Sequence, residues 1–159
     1  MAATHKSGAK GGPTLADNRK SRFQYQVEEK LEAGLSLLGS EVKAIREGKA
    51  SLADAYVRIR RGEAFLHGCH IGPYSSASPE SHEARRDRKL LMHRREIDRL
   101  EGKARQRGLT LIVTRLYLKG GRVKAEVALA RGKKLHDKRA VKRDHELKRE
   151  AERAMKLRG

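Results

Sequence analysis

Two groupings of chemically capable side chains stand out along the 159 residues. His67-Gly68-Cys69-His70 holds two imidazoles and the chain's one thiol within four residues, the beginnings of a zinc ligand set. On a strand, however, His67 and Cys69 share a face while His70 points the other way, and no fourth ligand follows at zinc-site spacing. A half-buried strand is therefore expected there rather than a metal centre. His136-Asp137-Lys138-Arg139 sets a potential general base beside cations able to hold a phosphate, as a nuclease would need. It lies in a segment too poor in apolar residues to preorganise a catalytic shell, which favours binding over chemistry. No Gly-x-x-x-x-Gly-Lys-Ser/Thr is present, and Gly8 to Gly12 does not open a helix in the right register, so nucleotide hydrolysis is not expected. The lone Cys69 excludes an intramolecular disulfide. The reading is a non-enzyme without metal or cofactor.

What these side chains can do together is neutralise a polyanion. Lys and Arg number 38 against 20 Asp and Glu, a formal net charge of +18. The excess is uneven: +4 over residues 1–22, +7 over 23–130, and +7 over only 29 positions from 131 to 159. A compact middle flanked by basic arms suits a protein that closes on RNA or DNA, because each neutralised phosphate releases counterions. Anionic lipid is the competing partner, but a surface helix would need an aromatic or leucine-rich face, and the tail has no aromatic residue. Aromatics make up 4% of the chain, too few for a base-stacking platform, so shape and phosphate contacts to a structured RNA are expected. No apolar run is long enough to span a bilayer and no secretory signal opens the chain, which leads us to expect a cytoplasmic protein.

The elements that must position these groups can be read in outline. Residues 1–17, rich in Gly, Ser, Lys and Pro, are expected to be a disordered basic arm. From Phe23 apolar residues fall on odd positions through Tyr25, Val27, Leu31, Ala33, Leu35 and Leu37, a long strand whose acidic break at Glu28-Glu29 and whose Gly34 predict a bend or bulge. That bend implies a small closed barrel. Glu41–Glu47 is expected as a short helix begun by Ser40 and ended by Gly48. Tyr56–Ile59 and Ala64–His67 should form a hairpin around Gly62. The stretch Tyr74–Ser81 is expected as a loop, followed by an amphipathic helix within Arg85–Arg107 that ends at Gly108. Leu109–Leu118 and Val123–Leu129 form a second hairpin around Gly120-Gly121. Residues 18–130 are thus one RNA-binding barrel domain, mainly β with two to three packed helices. Residues 131–159 form a basic tail expected to be disordered in the free protein and helical on its polyanion. Glu32, an acidic spot at the bend, can be either a solvated strand residue or a contact.

Several blocks in order carry a resemblance. Asn18-Arg-Lys-Ser-Arg22, Glu32-Ala-Gly34, Gly39-Ser-Glu-Val-Lys-Ala-Ile-Arg46, Arg88-Lys-Leu-Leu91, Leu129-Ala-Arg-Gly-Lys-Lys134 and His136-Asp-Lys-Arg139 together resemble the SsrA-binding protein (SmpB) family over about residues 17–159. The resemblance implies an oligonucleotide-binding-type β-barrel and a bacterial RNA-binding adaptor. Such an adaptor carries tmRNA to stalled ribosomes in trans-translation. It implies that Glu32, Leu91 and Lys124 bind the tRNA-like end of tmRNA, with Asn18, Arg19, Lys20 and Arg46 in matching basic or polar blocks. It also implies that Lys133, Lys134, His136, Asp137, Lys138 and Arg139 engage the small-subunit decoding region, with Met155 and Lys156 in the later tail motif. The implied partners are tmRNA and the ribosome, with a monomer when free and no membrane. The chain departs from the family at Phe23, where a histidine is expected, at Ala44 for a usual serine, and at Ala84 where proline often stands. A structural ribosomal protein, or a general basic RNA-binding barrel, is the alternative that composition also permits.

Overall fold

A computed structural model describes residues 12–75, 82–133 and 135–158. The chain runs β1 (Thr14–Asp17), α1 (Arg19–Gln24), β2 (Tyr25–Leu35), α2 (Gly39–Arg46), β3 (Ala50–Ser51), β4 (Tyr56–Arg60), β5 (Glu63–His67), β6 (His70–Ile71), β7 (Arg88–Leu91), α3 (Arg94–Arg107), β8 (Thr110–Lys119), β9 (Arg122–Gly132) and α4 (Leu135–Arg158). Seven strands form one antiparallel sheet in the order β1-β8-β9-β2-β7-β5-β4, and β3 pairs with β6. The fold is mainly β with four helices: α1, α2 and α3 in the body, within the two to three expected there, and α4 in the tail. The strands β1 and β4 end the sheet, so no hydrogen-bonded closed barrel is found among the described residues, although β4 packs against β8.

The predicted break in β2 is a bulge. Val27 pairs with Ala130 and Glu29 with Leu129, so Glu28 is the extra residue. An added residue reverses the alternation, which is why odd positions before and after it serve opposite faces. Tyr25 and Val27 pack on Ile112, Ala128 and Ala130, whereas Leu31, Ala33 and Leu35 enter the main core with Val113, Leu116, Val127 and Leu129. The bulge is tied to α3, because Glu28 meets Arg107 and Glu29 meets Arg99 and Lys103. Both predicted hairpins form. The first turns on Arg61 and Gly62, with φ of 51° and 77°, and the second on Gly120 and Gly121, with φ of 58° and 75°, the double positive φ that lets a two-residue turn follow the strand twist.

Three local expectations are corrected. Residues 14–17, read as part of the arm, pair with β8 as β1, since Leu15 and Ala16 have an apolar edge to cover. Phe23 and Gln24, read as the start of the strand, belong to the helix α1 (Arg19–Gln24), and β2 begins at Tyr25. Asn18 caps α1, its Oδ1 accepting from the Ser21 backbone N–H at 3.2 Å. Arg88–Leu91 is strand β7 between β2 and β5 rather than the start of a helix. Its inward residues are Arg88 and Leu90, and Arg88 is wholly buried beside the equally buried Glu41, with Nε donating to Oε2 at 2.6 Å. Arg88 also donates to the carbonyls of Cys69 at 2.7 Å and Ala84 at 3.2 Å, so the buried charge is matched on several sides. The tail takes the helical form expected of it: residues 135–158 are a 24-residue helix with no Pro or Gly to stop it. Lys133 pins its base, its Nζ donating to the Arg22 carbonyl at 2.8 Å, and Phe23 stacks on His145 with ring centroids 5.9 Å apart.

Candidate nucleic-acid interface

Register brings three of the proposed residues together. Gly34 lies opposite Leu91 of β7 on one side and opposite Lys124 of β9 on the other, so the three occupy one row across three strands. Residues directly opposite in antiparallel strands share a face, and Glu32, two residues along β2, shares it as well. Gly34 is required here by close approach: a Cβ in its place would sit 3.2 Å from the Leu91 Cβ. Beside this row lies a cleft of about 770 Å³ lined by Glu32, Gly34, Leu91 and Lys124, and rimmed by Lys89, His93 and Arg94 together with Glu63 and Glu96. Leu91 stands 53% exposed at its side, an apolar group that no core residue covers.

Of the three carboxylates lining the cleft, Glu32 is held by two donors. Glu32 Oε2 accepts from the Tyr117 hydroxyl at 2.7 Å and from Lys119 Nζ at 2.9 Å. Partial burial pushes the Glu32 carboxyl up, but these two donors and the charges of Lys119 and Lys124 outweigh it, so its pKa falls below the ordinary value. Tyr117 is pushed the other way, by burial and by the Glu32 carboxylate, and keeps its proton. The Arg115 guanidinium lies 4.3 Å from the Tyr117 ring centroid and fixes the ring from its far face.

The other proposed residues spread out. Asn18 is 5% exposed and spent on structure, its Nδ2 donating to the Val113 carbonyl at 3.0 Å and its Oδ1 capping α1. Arg19 lines a second cleft of about 570 Å³ between α1 and α4, with Arg22, Phe23, His145, Glu146 and Arg149. Lys20 pairs with Asp54 at 3.9 Å on the surface, and Arg46 is exposed in the last turn of α2. Lys133 anchors the tail, while Lys134 lies outside the described residues. His136, Asp137, Lys138 and Arg139 fall in the first turns of α4, Met155 is 75% exposed near its end, and Lys156 follows. The tail residues therefore share a helix remote in sequence from the cleft trio. In the His67–His70 stretch, His67 Nδ1 meets Asp87 at 2.8 Å and Cys69 is buried with its thiol pushed up to about 11 by burial.

Sequence reasoning did not single out Tyr117, Lys119, Lys89 or Arg94. A signal for the first two was present, because a two-residue turn at Gly120-Gly121 sets Lys119 opposite Arg122 and Tyr117 opposite Lys124. The departures also find places. Ala44 is wholly buried, and Ala84 offers its carbonyl to the Ile71 N–H at 2.9 Å. No three His, Cys, Asp or Glu side chains converge on a metal position among the described residues, and no described helix is long and apolar enough to cross a membrane.

An antiparallel sheet carrying an open cleft of mixed charge, on a chain of net charge +18 with a strongly basic helix leaving its last strand, fits a nucleic-acid-binding class of protein. The family model described as "SmpB protein" matches residues 15–157. An SsrA-binding protein of Thermosynechococcus vestitus is 56% identical over 91% of this chain and 95% of its own. Another, of Pelobacter propionicus, is 48% identical over 92% of this chain and 96% of its own. A solved structure described as "tmRNA-SmpB: a journey to the center of the bacterial ribosome" contains a chain with a TM-score of 0.64 and 42% identity, covering 75% of this chain and 84% of that one. This chain belongs to the SmpB family.

Proposed function

We propose that the body cleft binds the tRNA-like domain of tmRNA and that the basic helix α4 docks in the small-subunit decoding region, where it probes for an empty message channel. As an SmpB-family member the chain is a tmRNA-binding adaptor of trans-translation. The observation that carries the cleft assignment is the row Leu91–Gly34–Lys124 with Glu32 beside it, which gathers an apolar contact, a cation and a fixed acceptor. A structured RNA can meet such a set by shape, whereas a charge patch alone would bind any phosphate chain. The tail suits a different task. Its cations lie along a helix that a message in the channel would exclude, so productive docking reports the message's absence.

The finer fold reading, an oligonucleotide-binding-type barrel, is supported by the bulged β2 and by β4 packing against β8. We read the chain as a non-enzymatic cytoplasmic adaptor, monomeric when free, with peptidyl transfer left to the ribosome. The experiment is binding of the purified protein to a tRNA-like tmRNA fragment in competition with tRNA and with a duplex of equal length at physiological salt. A clear preference for the fragment is expected. Equal binding to all three would leave only a general basic RNA-binding protein and would favour the ribosomal-protein alternative.

A further inference from the structure

We propose that Glu32 reads a hydrogen-bond donor on the RNA through its second carboxylate oxygen, and that Tyr117 is the positioning residue that aims it. The inference rests on the cleft being the RNA site. Oε2 takes both donors, the Tyr117 hydroxyl and Lys119 Nζ, while Oε1 has no partner among the described residues. Two donors on one oxygen restrain rotation of the carboxylate plane and leave Oε1 as the acceptor presented at the cleft. Tyr117 can hold that geometry because its own ring is fixed: it is 4% exposed, lies opposite Lys124 in the ladder, and sits beneath the Arg115 guanidinium.

An ionised carboxylate accepts hydrogen bonds only, so the group it meets is an N–H or O–H and not a phosphate. On RNA that donor is a base amino or imino group or a ribose 2′-hydroxyl. The sign of a mutation separates this role from mere charge balance. If Glu32 only tempered its lysines, removing it would tighten binding by relieving repulsion of phosphates. If it accepts a donor, removing it weakens binding and leaves the number of neutralised phosphates, and hence the salt slope, unchanged.

The test measures the affinity of full-length protein for a tRNA-like-domain transcript across a salt series, for wild type, Glu32→Ala, Tyr117→Phe, the double variant and Lys124→Ala. Tyr117→Phe keeps the buried ring and deletes one hydroxyl. Glu32→Ala and Tyr117→Phe are each expected to weaken binding, the former by about tenfold. The double variant should be no weaker than Glu32→Ala, and the salt slope should not move. Transcripts carrying inosine for guanosine, purine riboside for adenosine, zebularine for cytidine, N1-methylguanosine or N3-methyluridine at the imino positions, or 2′-deoxynucleotides then identify the donor, as the substitution that weakens wild type but not Glu32→Ala. Failure of every such substitution to do so overturns the donor reading. Unchanged or tighter binding by Glu32→Ala while Lys124→Ala still weakens it overturns the donor reading and leaves the cleft intact. Unchanged binding by both removes the cleft assignment itself. Additive losses in the double variant, or no loss in Tyr117→Phe, overturn the positioning role.

Discussion

The body cleft and the tail helix both carry cations, yet they are built in opposite ways. In the cleft every proposed contact is fixed by the sheet: Leu91 and Lys124 by their register with Gly34, and Glu32 by Tyr117 and Lys119. On α4, Leu147 and Met155 are 62% and 75% exposed, and the ring contact joining the helix to the body is Phe23 on His145. A cleft whose backbone and carboxylate are held in this way would lose little entropy on binding. The tail keeps apolar and charged groups in water, and a partner must supply the rest of its surroundings. Shape recognition and channel probing therefore need not share residues.

The largest disturbance should come from beneath the cleft. Arg88→Ala leaves the buried Glu41 with only Arg86 among its charged partners and is expected to cost about 3–5 kcal/mol of stability, measured by denaturant unfolding. The same network sets an acid limit. Burial pushes the Glu41 carboxyl up, but its bonds from Arg86, the Leu38 N–H and Arg88 outweigh that and bring the folded pKa below the ordinary 4.5. A lowered folded pKa contributes stability that is complete above about 4.5 and is lost as pH falls through the folded value. Thermal melts from pH 6 down to pH 3 should show that loss, and a shallower one in Arg88→Ala.

Next in size, Lys124→Ala should weaken binding of the tRNA-like fragment by about tenfold and reduce the salt slope by about 1, while leaving the melting temperature nearly unchanged. Gly34→Val would drive Leu91 from its place without altering any charge. Binding should therefore weaken with an unchanged salt slope, which separates apolar contact from phosphate neutralisation. The smallest effect belongs to Phe23→Ala. It should loosen α4 by about 0.5–1.5 kcal/mol, seen as faster amide exchange around His145, with affinity of the cleft for RNA untouched.

Local pattern made the bulge at Glu28 and both hairpins legible, because a two-residue turn and a period of two suffice to set them. The elements that escaped depend on distant partners. Arg88 reads as helix surface until Glu41, 47 positions away, meets it inside the core. Phe23 and Gln24 look like the start of the strand because Asn18, which caps their helix, hangs from Val113, 95 positions on. Of the site, family resemblance supplied Glu32, Leu91 and Lys124 as names, and the ladder supplied the reason they meet. Asn18 was grouped with the contacts because a polar residue in a basic block looks like one, although its amide is consumed by the fold. Tyr117 was overlooked because its value lies in a bond to Glu32, 85 residues earlier.

The division between body and tail is tested most directly by truncating the chain after Lys133, which keeps β9 and its pairing with β2 whole. Affinity for the tRNA-like fragment and rescue of ribosomes stalled on a message without a stop codon would be measured on the same preparation. Fragment affinity within about twofold of the full chain, with rescue abolished, is the predicted result. A comparable loss of fragment affinity in the truncated protein would contradict the account.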